Sequence, residues 1–153
     1  ATVAALWLES PLLASMMAIA ILIPELIWNI GFFSGLITEK PALGLANYMF
    51  DADKPIYLRT LSLFHIFLPP LLLWLIYQLG YDENALLAQS AVALLVLPIC
   101  YHFTSRKDNI NWVFGFVDPP QQWLPAAGFV LFLMALYPLA LFLPTHLLLR
   151  RVF

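Results

Sequence analysis

A carboxylate, a carboxamide and an imidazole stand out because the residues around them are apolar. Glu25 lies in the run Ile21-Leu22-Ile23-Pro24-Glu25-Leu26-Ile27-Trp28-Asn29, which puts Asn29 one helical turn further along the same face. His65 lies in Leu61-Ser62-Leu63-Phe64-His65-Ile66-Phe67-Leu68 and is followed by Pro69-Pro70. Proline has no N–H, so in a helix Pro69 leaves the carbonyl of His65 without its usual partner. In hydrocarbon, ionisable groups need pairing or a route to water, so Glu25 and His65 must find partners. The chemistry open to them is general acid and base catalysis, with Glu25 and His65 as the candidate catalytic pair. No spacing places a nucleophile beside them. The simpler reading is a set of interhelical hydrogen bonds, each worth roughly 1 kcal/mol.

Glu25, Asn29 and His65 are expected to converge on a polar pocket near one end of two antiparallel helices. Asn29 and the loop residues Asp51, Asp53, Arg59, Asn109 and Asn111 are the candidate ligand-binding groups at its mouth. The histidines His65, His102 and His146 fall in separate apolar segments with no ligand spacing, so no metal centre is expected. His65 and His102 stand toward the same end, and a bis-histidine haem b between their helices is the weaker alternative to no cofactor at all. His146 reads as a residue reaching for the interface beside Arg150 and Arg151. Glu9, Gln89 and Ser90 read as local polar contacts near that other end. The lone cysteine, Cys100, cannot form an internal disulfide. Glycine-rich phosphate loops, Ser/His/Asp spacings, C-x-x-C and internal repeats are absent from the sequence.

Four long apolar stretches must carry these groups: 11–36, 60–80, 84–103 and 124–149. At about 1.5 Å per residue each can cross a hydrocarbon core of roughly 30 Å. Composition agrees, since 63% hydrophobic and 10% charged residues leave too little polar surface to cover a water-soluble globule. The expected architecture is an all-α integral membrane bundle of four proline-kinked transmembrane helices in one domain. Residues 1–9 read as the end of a truncated upstream helix, because Ser10-Pro11 has the pattern of an N-cap followed by proline at the first helical position. Pro24, Pro69-Pro70, Pro98, Pro138 and Pro144 supply the kinks. Ordinary kinked packing is the favoured account of them, ahead of broken helices around a transport cavity.

Two long loops, 38–59 and 104–123, separate the stretches. The first carries an apolar patch, 43–50, expected to lie in the membrane interface. The second carries the pair Pro119-Pro120, with Trp112 and Trp123 at headgroup depth. A tight turn at Tyr81-Asp82-Glu83-Asn84 makes a hairpin of the second and third helices. Lys40, Lys54, Arg59, Arg106 and Lys107 lie in the two loops, against Arg150 and Arg151 at the other end, so the loops are expected to face the cytoplasm. A net charge of −2 gives no basic surface for nucleic acid.

The segments Asn47 to Asp51 (NYMFD), Leu61 to Leu73 (LSLFHIFLPPLLL), Leu79 to Asp82 (LGYD), Asn109 to Gly115 (NINWVFG) and Leu143 to Arg151 (LPTHLLLRR) resemble a family of bacterial multi-spanning proteins known only as membrane-associated proteins. The resemblance spans nearly the whole chain. It implies the bacterial inner membrane and a further hydrophobic segment upstream, and it assigns no chemistry. Two functions remain. The first is a small helical accessory or structural subunit, packed against the lipid bilayer and against other membrane subunits or a second copy of itself. The second is a membrane-embedded enzyme or a lipid or small-molecule binder using the Glu25, Asn29 and His65 pocket.

Overall fold

The structure is a computed structural model that describes residues 2–116 and 120–153. Ala1 of the expected stub and Pro119 of the expected proline pair lie outside the described residues. The described residues are helical, without a strand. In chain order they form α1 (Thr2–Trp7), α2 (Pro11–Thr38), a 3-10 turn (Asn47–Met49), α3 (Ile56–Leu61), α4 (Phe64–Leu79), α5 (Ala85–Phe103), a 3-10 turn (Ile110–Trp112), α6 (Ala126–Leu136), a π-helical segment (Tyr137–Phe142) and α7 (Leu143–Val152). Among the described residues, four helical stretches are long and apolar enough to cross a membrane: Pro11–Thr38, Ile56–Leu79, Ala85–Phe103 and Ala126–Val152.

Local chemistry sets the ends. The Ser10 hydroxyl accepts from the Leu13 N–H at 3.3 Å and Pro11 takes the first helical position, where its missing N–H is harmless. At the far end Glu39 adopts a left-handed conformation (φ 57°) and its N–H bonds back to the Gly35 carbonyl. The second apolar stretch begins at Ile56, earlier than the expected residue 60, and is interrupted at Ser62-Leu63 before α4 resumes. Pro24 and Pro98 sit inside continuous helices, whereas at Pro138 the ladder shifts to a π pattern in which the Leu143 N–H reaches the Pro138 carbonyl.

α2 is the hub. Its small residues Ala14, Ser15 and Ala18, all wholly buried, let neighbouring backbones come close, while Ile19 and Leu22 fill the space against Leu72, Leu75 and Ile76 of α4. α5 and α7 pack on α2 as well, contributing Ala93 and Leu149 to the same core. After the tight turn, α4 packs chiefly against α2, whereas α5 packs against α2 and equally against α6 and the π segment that follows it. A second core gathers Leu97 and Cys100 of α5, Val113 and Phe114 of the following loop, and Phe129 and Leu133 of α6. Large apolar side chains such as Phe67, Leu87, Leu95, Leu131 and Leu139 point outward, each more than 60% exposed.

Part of the apolar patch 43–50 folds onto α2. Ala46 and Met49 are buried against Trp28 and Phe32, in a third core. Glycine permits the approach: a Cβ on Gly31 would stand 2.8 Å from the Ala42 carbonyl oxygen and 3.3 Å from the Ala46 Cβ. Gly31→Ala gains helix propensity of up to about 1 kcal/mol but must push backbone aside, which costs about 1–3 kcal/mol. A net loss of about 1 kcal/mol is expected, read as a lower unfolding midpoint in micelles together with faster proteolysis of the 42–50 segment.

Candidate functional site

Glu25 sits midway along α2, one residue after Pro24, on the face turned toward α4, and is only 7% exposed. The opposite wall is His65, the second residue of α4. The early start at Ile56 matters here. Nine residues of chain at about 1.5 Å each bring His65 roughly 14 Å from the start of its stretch, deep enough to stand level with Glu25. His65 Nδ1 and Glu25 Oε2 are 2.6 Å apart, a hydrogen bond that joins α2 to α4.

Two aromatic rings pack against the imidazole. The Trp28 ring stacks on it with centroids 4.5 Å apart and an interplanar angle of 27°, and the Phe64 ring lies 4.1 Å away. Trp28 is held in turn by its Nε1–H, which donates to the Tyr48 hydroxyl at 3.2 Å in the folded-back loop. Asn29 completes the arrangement. Its Nδ2 donates to the Glu25 carbonyl at 2.8 Å and to the His65 carbonyl at 2.9 Å. The second bond is the informative one, because that carbonyl is the acceptor which Pro69 leaves without an N–H.

The loop residues expected at the mouth do other work. Asp51 Oδ1 accepts from the Asp53 N–H at 2.9 Å, closing a local turn, and Asp53 is exposed. Arg59 Nη1 donates to the Met49 carbonyl at 3.3 Å, tying α3 to the 3-10 turn before it, while its buried Nε has no partner among the described residues. Asn109 organises its own loop through bonds to the Gly115 carbonyl and the Phe114 N–H. Asn111 donates to Cys100 Sγ at 3.2 Å and its carbonyl accepts from the Tyr137 hydroxyl at 3.0 Å. Glu25, Asn29 and His65 are thus brought together, and none of these loop side chains bonds to them.

Chemically, the Glu25 and His65 pair can hold or pass a proton, and with Nδ1 engaged it is Nε2 of His65 that is left to coordinate. Residue types that would complete a metal site are not clustered: among the described residues no three of His, Cys, Asp and Glu come together. His102 is exposed and lies edge-on to its neighbour Tyr101.

A second polar cluster lies at the opposite end, where the sequence predicted only scattered contacts. His146 is buried rather than reaching outward, and its Nδ1 is 2.7 Å from the Tyr81 hydroxyl. The Asp82 N–H donates to the buried Ser15 hydroxyl at 2.9 Å, and Arg150 pairs with Glu83 at 2.9 Å on the surface. Burial first, then the charges of Asp82 and Glu83, push the Tyr81 hydroxyl up from 10.0 to about 12. The folded chain therefore holds this proton more tightly than the unfolded one, so the resulting stability is complete below pH 10 and is lost as pH rises toward 12. The ultraviolet difference between wild type and Tyr81→Phe is expected to show one tyrosinate forming toward pH 12. Formation at pH 10 would mean that Tyr81 is solvated.

Comparison of the chain with known protein families, with curated proteins and with solved structures finds no match.

Proposed function

We propose that the chain is a polytopic membrane protein of a bacterial inner membrane, working as a small helical accessory subunit in which Glu25, Asn29 and His65 form an interhelical strut. One observation carries this reading: the three side chains direct their hydrogen bonds to one another and to backbone, leaving the loop polar groups elsewhere. A buried acid and base engaged in this way join α2 to α4. The outward Phe67, Leu87, Leu95, Leu131 and Leu139 supply apolar faces for lipid and for neighbouring subunits. Proline bends at Pro24, Pro69-Pro70 and Pro98, with the π segment at Pro138, shape those faces. The basic loops 38–59 and 104–123 face the cytoplasm on this reading.

The test is native mass spectrometry of the full chain extracted gently from its own membrane, with a visible absorption spectrum of the same sample. Co-purifying membrane subunits or a stable self-associated form is the expected result. A lone chain carrying a small molecule that Glu25→Ala or His65→Ala removes would overturn it in favour of a binder or enzyme, and a Soret band would do so in favour of haem. Orientation is checked separately by labelling Lys54→Cys and Arg151→Cys with an impermeant thiol reagent, which should reach Arg151→Cys alone from outside the cell.

A further inference from the structure

Between the end of α1 and the end of α4 lies an open cleft of about 310 Å³, lined by Leu6, Glu9, Trp74, Leu75, Gln78 and Leu79. The Glu25 and His65 strut does not use it. Glu9, Trp74 and Gln78 are all exposed, so a ligand can reach them. Among the described residues no lysine, arginine or histidine lines the cleft. Glu9 takes part in neither ion pair formed among the described residues, which join Glu25 to His65 and Glu83 to Arg150.

Glu9 is a costly choice for its place in the backbone. Its N–H bonds to the Leu6 carbonyl at 3.4 Å and the Ser10 N–H bonds to the Ala5 carbonyl at 3.2 Å, the paired bonds that close a helix around a left-handed residue. Glu9 is that residue, with φ 45°. Glycine adopts this conformation freely, whereas a Cβ makes it unfavourable. The start of α2 beside it suits an acid, which accounts for the charge but not for the departure from glycine. Strain of this kind gathers at sites that hold ligands.

The side chains narrow the occupant. A carboxylate accepts from a cation, the last carbonyls of α4 add the negative end of its dipole, and the face of an indole attracts the same charge. The Gln78 amide and the Trp74 indole N–H are donors, which suit phosphate oxygens. At roughly 30 Å³ per water-sized group the cleft holds about ten groups, the size of a phosphate joined to a short amine. Trp74, Leu71 and Phe67 continue along α4 the stripe that Gln78 begins, at helical spacings of three and four. The stripe is about 16 Å long, half of a hydrocarbon core, and Trp74 and Phe67 are exposed along it.

We infer that this cleft holds the headgroup of a zwitterionic aminophospholipid, with its primary ammonium on Glu9, its phosphate on Gln78 and Trp74, and one acyl chain along Trp74, Leu71 and Phe67. A primary ammonium fits better than a quaternary one because only the primary has N–H groups to donate to the carboxylate. An anionic headgroup would meet Glu9 with no cation of the protein beside it. The inference rests on the membrane reading above but is independent of the accessory role.

The full chain is mixed in micelles with equal amounts of phosphatidylethanolamine, phosphatidylcholine and phosphatidylglycerol of matched acyl chains, and native mass spectrometry counts the lipid retained. Phosphatidylethanolamine is expected to be retained roughly two- to tenfold more than either competitor, the preference that one hydrogen bond at an open site supplies. Glu9→Gly should abolish the preference and at the same time raise the unfolding midpoint, because it removes the carboxylate and relieves the left-handed turn. Glu9→Gln, which keeps the size and the turn, should abolish the preference without that gain. Equal retention of the three lipids, or a preference that survives both variants, overturns the proposal. Retention of free ethanolamine in place of the lipid, in a sample holding both, assigns the cleft to a soluble amine and overturns the lipid. Protein that fails to float with phosphatidylcholine vesicles would refute the membrane reading, whereas floating protein without a preference refutes the cleft alone.

Discussion

Glu25→Ala is expected to destabilise the bundle by about 3 kcal/mol, the low end of the cost of removing one partner from a buried ionisable pair. The truncation leaves the imidazole of His65, packed against Trp28 and Phe64, without its partner at Nδ1. His65→Ala should be nearly as damaging, since it strands a carboxyl that is 7% exposed. The double variant should recover part of the loss, because with both groups gone nothing ionisable is left unpaired. A double-mutant cycle from unfolding in mixed micelles decides the matter. Interhelical hydrogen bonds in membranes average about 0.6 kcal/mol and reach about 1.7 kcal/mol, and the short contact at 2.6 Å between buried side chains belongs near the top of that range. A coupling below about 0.5 kcal/mol would show that Glu25 and His65 are neighbours without being a strut.

The second large effect concerns a carbonyl rather than a charge. Asn29→Leu should lower stability by about 1–3 kcal/mol, because the His65 carbonyl loses the one donor that replaces the N–H missing at Pro69. The expected remedy is specific. Pro69→Ala restores a backbone N–H four residues after His65, so the Asn29→Leu loss should shrink markedly when both changes are combined. The same rescue at Pro70, whose missing partner is the Ile66 carbonyl, should fail. If Pro69→Ala leaves the Asn29→Leu loss unchanged, the carboxamide is not serving the proline gap, and its bond to the Glu25 carbonyl is the one that matters.

Much of the helical plan was legible because apolar length and capping are local properties. Ser10-Pro11 marked the start of α2, and the apolar run 124–149 marked the last helical stretch, which begins at Ala126 in the structure, without any knowledge of neighbours. The convergence of Glu25, Asn29 and His65 was also within reach, since a glutamate and a histidine in apolar helices and a proline four residues past His65 each leave a need that only a partner can meet. What could not be read was decided by packing. The fold-back of Ala46 and Met49 depends on the bare face at Gly31, and the separate docking of α4 and α5 depends on the small residues of α2. Asn109 and Asn111 have the composition of binding residues but satisfy their own loop and Cys100, a choice made by backbone geometry. The Tyr81 and His146 contact joins residues 65 positions apart and leaves no periodic trace in the sequence.

The pairing of Glu25 with a partner 40 residues later has a consequence for biosynthesis. A ribosome adding roughly 5–20 residues per second makes Glu25 some 2–8 seconds before His65 exists. On the membrane reading proposed above, the carboxyl of Glu25 must for that interval stay hydrated or be held by another group, and α2 gains its companion only as the second apolar stretch is made. Arrival of His65 and Asn29's acceptor on the same turn of α4 would then fasten the first two long helices as a unit, onto which α5 and α7 are added in the order in which they are synthesised.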